Sequence, residues 1–557
     1  MALYSSGESV NAVVAEIGAW STKIGYAGED YPRSHFRSNV AILREEAGTN
    51  SSVTKQQSKR RRPIQKVHYD SLSRPLDGET DGNWEVANPV DPTTGLWYDP
   101  GSHTSSEADW ADLIPTFLRH GYDKSLGLQD QTDHPLLLVE RSYNPPPLRQ
   151  QLLEILMEEC QVPATFFGRD ATLACYACGR TTSTVIDIGY NGTTVTPVFE
   201  GYVEQKAIRR SPIGTLAMDE LALEQLRTLC ASSKTLLKPV YQVRNPQLKP
   251  RKPEFHRLAL LQIARECRES GAGQSINTAA SKTLLVPSIS YTLPDGAMVD
   301  VPSQHRFAVA NLALGPAPED DSLPKPREEA FDTFKKNYEE IIASAMKADE
   351  DDDNNDDDGG EKDEHAMDID EKKTQAEKYN EAAAVGVSSR RTTRGSTRLA
   401  NKASPSKTNA SNPAPDTRKT RFDNHILQRA CASYLQTHLE QLTSTPIANM
   451  VCDAAFRCDR DQQASMLGNV VLCGGGACIG PTDQAVPDML REQIEAIIHV
   501  HTPGWRVKML SPSIQERAIC SWLGGSILAS LGTFHEMWIT KAEYEEWGSA
   551  IINRKCP

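Results

Sequence analysis

Three stretches of the sequence carry acids and glycines where a bound phosphate would want them. "VVAEIGAWSTKIGYAGED" (13–30) runs along an apolar strand to Glu16 and Gly18, turns, and returns with alternating polarity through Lys23. "STVIDIGYNGTTVTPVFEG" (183–201) repeats the plan with Asp187 and Gly189: apolar run, acid, one residue, glycine, polar turn, returning strand. "NVVLCGGGACIGP" (469–481) is a buried strand running into Gly474, Gly475 and Gly476, with helix-like sequence after it. Backbone N–H groups in such turns wrap phosphate, glycine lets them come close, and a following helix N-terminus favours an anion. Each glycine read alone also serves a tight turn, and Lys23 also reads as a solvated surface lysine. Together the three stretches point to nucleotide chemistry at one cleft. Trp20 is the misfit, a bulky ring in a turn that should hug its ligand.

The echo between the two hairpin stretches predicts two similar α/β lobes, each offering a hairpin to a shared cleft. Between them, "HPLLLVER" (134–141) reads as a buried strand, and "PPPLRQQLLEILMEEC" (145–160) as a helix opened by its prolines. The chain has 557 residues, 39% apolar and 24% charged, enough for two or more domains. A net charge of −14 argues against general nucleic-acid affinity while leaving room for a local basic site. No 18-residue apolar run and no basic-then-apolar start are present, so the expectation is a chain neither membrane-spanning nor secreted.

Twelve cysteines over this length are too dilute for a disulfide scaffold. "CYAC" (Cys175, Cys178) matches half of a redox or zinc motif, but its apolar helical setting favours buried structural thiols. Residues 44–105 and 318–421 are polar, with "DEDDDNNDDD" (349–358) and a basic run from Arg390 to Arg421 in the second. Both read as insertions, and most of the second as disordered. Within it, "FDTFKKNYEEIIASAM" (331–346) spaces Phe331, Phe334, Tyr338, Ile341 and Ile342 along one helical face. Residues 232–254 read as a loop. Lys59, Arg60, Arg61 and Arg62 form a short basic cluster, either a nuclear-import signal or solvated linker.

The tail "ERAICSWLGGSILASLGTFHEMWITKAEYEEWGSAIINRKCP" (516–557), the segment 133–189 and "YTLPDG" (291–296) closely resemble the actin superfamily. The likeness covers the chain outside the two polar insertions, and it is most similar to the nuclear actin-related protein four class of fungal type. It implies an α/β actin-like ATPase fold, with two ribonuclease-H-like lobes and four subdomains around a nucleotide cleft. Lobe one would hold 1–177, lobe two 178–519, and the segment 520–557 would return to lobe one. The cofactor implied is ATP with Mg²⁺.

Matched position by position, the resemblance implies nucleotide contacts from Gly18, Lys23, Asp187, Gly189, Arg268, Glu269, Gly474 and Gly475. Glu16 and Asp187 would face the metal through water. The departures gather at the reacting end. Glu16 replaces an aspartate, Ala19 a hydroxyl residue, Trp20 a glycine, Tyr190 an aspartate and Ala518 a lysine of the base pocket. Asp170 stands where the family's water-orienting glutamine belongs. Phosphoryl transfer depends on positioning, so the expectation is very slow or absent hydrolysis and no catalytic residue. The resemblance then implies a non-filamentous nuclear scaffold subunit of chromatin-remodelling and histone-acetyltransferase complexes, active in transcription regulation and DNA repair. Its partners would be monomeric nuclear actin, a helicase-SANT-associated helix, and histones or the nucleosome, with no membrane. Another nuclear actin-related class, a filament-forming actin-like ATPase, and a sugar kinase or chaperone-type ATPase of the same fold are the rivals.

Overall fold

The computed structural model describes residues 11–44, 64–69, 84–97, 110–128, 132–244, 246, 253–272, 287–315, 326–347, 424–480 and 482–557. All of them fall in one unit, Met1–Lys347 with Asn424–Pro557. Lys59–Arg62 and the acidic and basic runs lie outside the described residues.

Two sheets built on the same plan carry the hairpins. In the first, Val13–Ile17 pairs antiparallel with Ser21–Tyr26 on one side and parallel with Leu136–Glu140 on the other. Ser34–Arg37 and Ala164–Arg169 extend it outward, and Ile539–Thr540 from the tail closes the far edge. In the second, Ser183–Ile188 pairs antiparallel with Thr193–Phe199 and parallel with Val470–Cys473, beyond which lies Met509–Leu510. The sequence echo is therefore an echo of topology. Strands such as "LLLVE", buried at every position, are apolar on both faces up to the paired Glu140 at the end.

Each sheet has its own core. Val14, Leu137, Phe117, Trp522 and Ile552 belong to the first, and Ile186, Met450, Leu472 and Ile494 to the second. The tail is tied to the first sheet by buried Arg149, which pairs with Glu140 at 2.8 Å and donates to the Cys556 carbonyl. The helix Cys520–Ser530 packs on the helix Asp170–Ala177 so closely that a Cβ at Gly524 would collide with the Leu173 backbone.

Three sequence readings change. The polar stretch 44–105 is not all loop, because Ile64–His68 and Trp84–Ala87 flank Val40–Arg44 in a three-stranded sheet. Trp84 and Ala87 are buried there, so a few apolar residues suffice to pin strands in a polar background. The 232–254 stretch contains a helix, Val240–Arg244, whose Tyr241 buries against Phe255. The 331–346 face is a helix as expected, but longer (Pro326–Lys347), and it packs on a second helix, Asn424–Thr437. Tyr338, Ile342 and Ala345 join Leu427, Cys431, Ala432 and Leu435 in the first core.

All twelve cysteines are free, and all but Cys178 and Cys478 are buried. Cys175 shares a small apolar cluster with Cys473 and Cys520, and among the described residues no group of His, Cys, Asp and Glu is placed to hold a metal. Burial pushes the Cys160, Cys175, Cys267, Cys431, Cys452, Cys458 and Cys556 thiols up to about 12. At neutral pH these groups hold almost no thiolate, the reactive form. Alkylation of the native chain at pH 7.5 is therefore expected to spare the buried thiols, with all twelve reacting in guanidinium. Rapid native labelling at Cys175, measured by peptide mass, would contradict this.

Candidate functional site

The two hairpin turns and the Leu136–Glu140 strand end at the same place because the strands are in register. Glu16 lies opposite Lys23 across the first hairpin and opposite Val139 on the parallel side. Arg141 therefore follows two residues past the partner of Glu16, at the level of the turn. Asp187 lies beside Cys473 in the second sheet, so Gly474 follows at the matching level there.

Charge is settled within the protein at this junction. Lys23 Nζ donates to Glu16 Oε1 at 2.7 Å, with the lysine almost wholly buried. The extra methylene that glutamate has over aspartate lengthens its reach toward that lysine. Arg141 Nη1 donates to Asp187 Oδ2 at 3.0 Å and to Asp170 Oδ2 at 3.3 Å. Asp170 Oδ1 also accepts from the Ser142 N–H at 2.9 Å, the Ser142 hydroxyl and the Ala171 N–H at 2.8 Å. A carboxylate so fully engaged has little capacity left to orient a water. Burial pushes the Asp187 carboxyl up from its ordinary value, while Arg141 pulls it back. The same three carboxylates help hold Arg141 charged, against the cost of its burial.

The glycines expected at phosphate close their own turns. The Gly18 N–H donates to the Ser21 carbonyl at 3.1 Å, and the Gly189 N–H to the Gly192 carbonyl at 2.9 Å. Gly474 has φ +92°, donates to the Arg517 carbonyl at 2.9 Å, and has no room for a Cβ against Asp187 and Ile188. Gly475 begins the short 3₁₀ turn that follows. Arg268 Nε donates to buried Asp219 at 2.8 Å, and Glu269 pairs with Arg265 at the same distance. Ala518 lines the cleft beside Gly474. The structure thus brings Glu16, Gly18, Asp187, Gly474 and Ala518 around one small cavity. It holds Arg268 and Glu269 in a separate ion-pair cluster with Asp219 and Arg265.

Trp20 settles on the opposite hairpin. Its ring lies 5.1 Å from Tyr190, with the Arg265 guanidinium 3.4 Å above it and Arg37 at 4.9 Å. Two departures from the family pattern, Trp20 and Tyr190, are therefore one contact. Further ties join the turns to the 88–97 loop: Asn88 Nδ2 donates to the Ala19 carbonyl, Trp97 Nε1 to Ile17, and Asn191 Nδ2 to Asp91. The space left on the Glu16 side of Arg141 is about 30 Å³, and on the Arg210 side about 40 Å³. Such cavities suit a water or two, whereas small-molecule pockets take roughly 300 Å³ or more. Glu16 Oε2, buried without a hydrogen-bond partner among the described residues, lines the smaller one.

A divalent cation does not fit this arrangement. Lys23 already takes Glu16 Oε1, and Arg141 takes Asp170 Oδ2 and Asp187 Oδ2, so the oxygens that a divalent cation would use are paired within the chain. Sequence reasoning missed Arg141, Arg265 and Asp219. A cation directly after a fully apolar strand was the available signal for Arg141. Trp20→Ala is expected to lower the unfolding free energy by about 2 kcal/mol, from the lost aromatic and cation–π contacts. An unchanged urea midpoint would contradict that accounting.

Comparison with known proteins agrees with this geometry. The Actin family profile matches residues 7–352 and 402–557. Actin-related protein 4 of Oryza sativa subsp. japonica is 25% identical over 579 residues, spanning 99% of each chain. Actin-related protein 4 of Arabidopsis thaliana is 24% identical over 565 residues, and that of Schizosaccharomyces pombe 24% over 566, each again spanning 99% of both chains. By its paired hairpin sheets, its returning tail and this full-length likeness, the chain belongs to the actin family and resembles actin-related protein 4 of plants and fungi.

Proposed function

We propose that this chain is a non-filamentous nuclear actin-related scaffold that works through its surfaces rather than through its cleft. The observation that carries the reading is the internal pairing of the cleft. Asp170, at the position that orients the attacking water in the family, has its carboxylate taken up by Ser142, Ala171 and Arg141. With that carboxylate engaged, hydrolysis is very slow or absent. ATP is in this reading a structural ligand, stabilising by mass action where it binds. To reach phosphate, Lys23 would have to exchange Glu16 for it. The expected Mg²⁺ is the part of the assignment that Arg141 leaves no place for.

The partners proposed are those of the nuclear class: an actin monomer, a helicase-SANT-associated helix of a remodeller or acetyltransferase scaffold, and the nucleosome or its histones. Support comes from apolar side chains left open on the tail: Ile527 and Leu531 at the end of the Cys520–Ser530 helix, and Met537 beyond it. An amphipathic helix laid on apolar surface is a common mode of recognition. Lys59–Arg62 is the proposed import signal, consistent with the chromatin role. No helix among the described residues is long and apolar enough to cross a membrane.

Mixing the purified chain with actin monomer and a helicase-SANT-associated peptide is expected to give one co-eluting ternary species. The chain alone in magnesium and ATP is expected neither to pellet nor to release phosphate above background. Elution apart from both partners, or sedimenting filaments with steady turnover, would refute the scaffold reading.

A further inference from the structure

We propose that Arg141 is the cleft's built-in counter-ion. Its guanidinium takes the place of a divalent cation between the carboxylates of the two sheets, and so latches the cleft shut without metal or nucleotide.

The bridge spans the two halves. Arg141 leaves the end of a first-sheet strand, Asp187 belongs to the second sheet, and one nitrogen serves both Asp187 and Asp170. Its second nitrogen, Nη2, lies over the second hairpin's turn, 4.0 Å from where a Cβ on Gly189 would stand. The loop that carries it is held firmly. The Ser142 carbonyl accepts from Arg169 and from Gln205, each at 2.9 Å, and Tyr143 stacks under Arg210, whose guanidinium carbon lies 3.7 Å from the ring centre. Arginine cannot give up its proton in a protein, so this charge is permanent. A planar, permanently charged guanidinium holds its place between two carboxylates better than a flexible lysine would.

The groups facing Arg141 explain why something positive must sit here. Glu16, Asp170 and Asp187 all line the same small cavity. Left without the guanidinium, buried Asp170 and partly buried Asp187 would lose their paired counter-charge, while Lys23 already serves Glu16. As placed around Arg141 they form no metal site; with the guanidinium gone and their side chains free to shift, they are the oxygen ligands that a hard divalent cation takes. Removing Arg141 should therefore turn a metal-independent cleft into a metal-responsive one. The Trp20–Tyr190–Arg265 stack closes the same gap at the hairpin turns, so the latch has a charged part and an aromatic part.

The test is thermal unfolding of the full chain, after apyrase and EDTA treatment, with and without added magnesium chloride. The wild type is expected to keep its midpoint within about a degree under both conditions. Arg141→Ala is expected to melt several degrees lower in EDTA and to regain part of the loss in magnesium. Arg141→Lys, with the charge but not the fork, should lose less and gain nothing from magnesium. A wild-type midpoint that falls on chelation and returns with magnesium would overturn the proposal. So would an Arg141→Ala midpoint equal to wild type in EDTA. If Arg141→Ala does not fold, the wild-type arm still decides. Binding of actin and the helicase-SANT-associated helix is measured separately, so failure of the latch and failure of the scaffold reading remain distinct.

Discussion

Buried carboxylates must be paired, and in this protein the pairing is done from within. Asp187 sits partly buried at the end of a strand, between the glycine turn and the neighbouring strand, which makes its ionised form costly unless it is paired. An actin-family cleft can answer that cost with ligand and cation. Here Arg141 answers it for Asp187 and Asp170, and Lys23 for Glu16. Taking either partner away would leave a stranded charge, which costs far more than the pair itself contributes. The internal pairs therefore fix the geometry of the junction, and the contents of the cleft follow from them.

The surrounding residues are consistent with that constraint. Trp20 and Tyr190 occupy the hairpin turns where small or acidic residues would leave room, and Arg265 caps the indole. The Asp219, Arg265, Arg268 and Glu269 cluster closes on itself in the same way, with burial raising the Asp219 carboxyl and Arg268 opposing it. The charged groups at the junction thus find their partners within the chain, while Ile527, Leu531 and Met537 stay exposed on the tail.

Much of this was legible in the residues. Both hairpins, the glycine junction and the returning tail were readable, because acid–x–Gly at the end of an apolar strand leaves few options for the backbone. Trp20 announced that something was wrong with the phosphate turn. What it contacts was not readable, since Tyr190 comes from the other hairpin's turn and Arg265 from the helix Pro253–Cys267, both distant in sequence. Arg141 was hidden for a related reason. In "LLLVER" it looks like the ordinary polar end of a buried strand, and only the parallel register with Val13–Ile17 carries it into the cleft. The small sheet around Val40–Arg44 was missed because its partner strands lie in polar sequence, and the helix Asn424–Thr437, though Leu427, Cys431, Ala432 and Leu435 are at helical spacing, because it follows the long charged stretch. Local composition misjudges segments whose stability comes from a distant core.

Hydrogen exchange of the two hairpins tests the central claim most directly. The account predicts that backbone amides of 13–26 and 183–199 are already strongly protected in chelator without nucleotide, and that magnesium alone leaves their exchange unchanged. Fast exchange in the stripped protein that slows only when magnesium–ATP is added would contradict it.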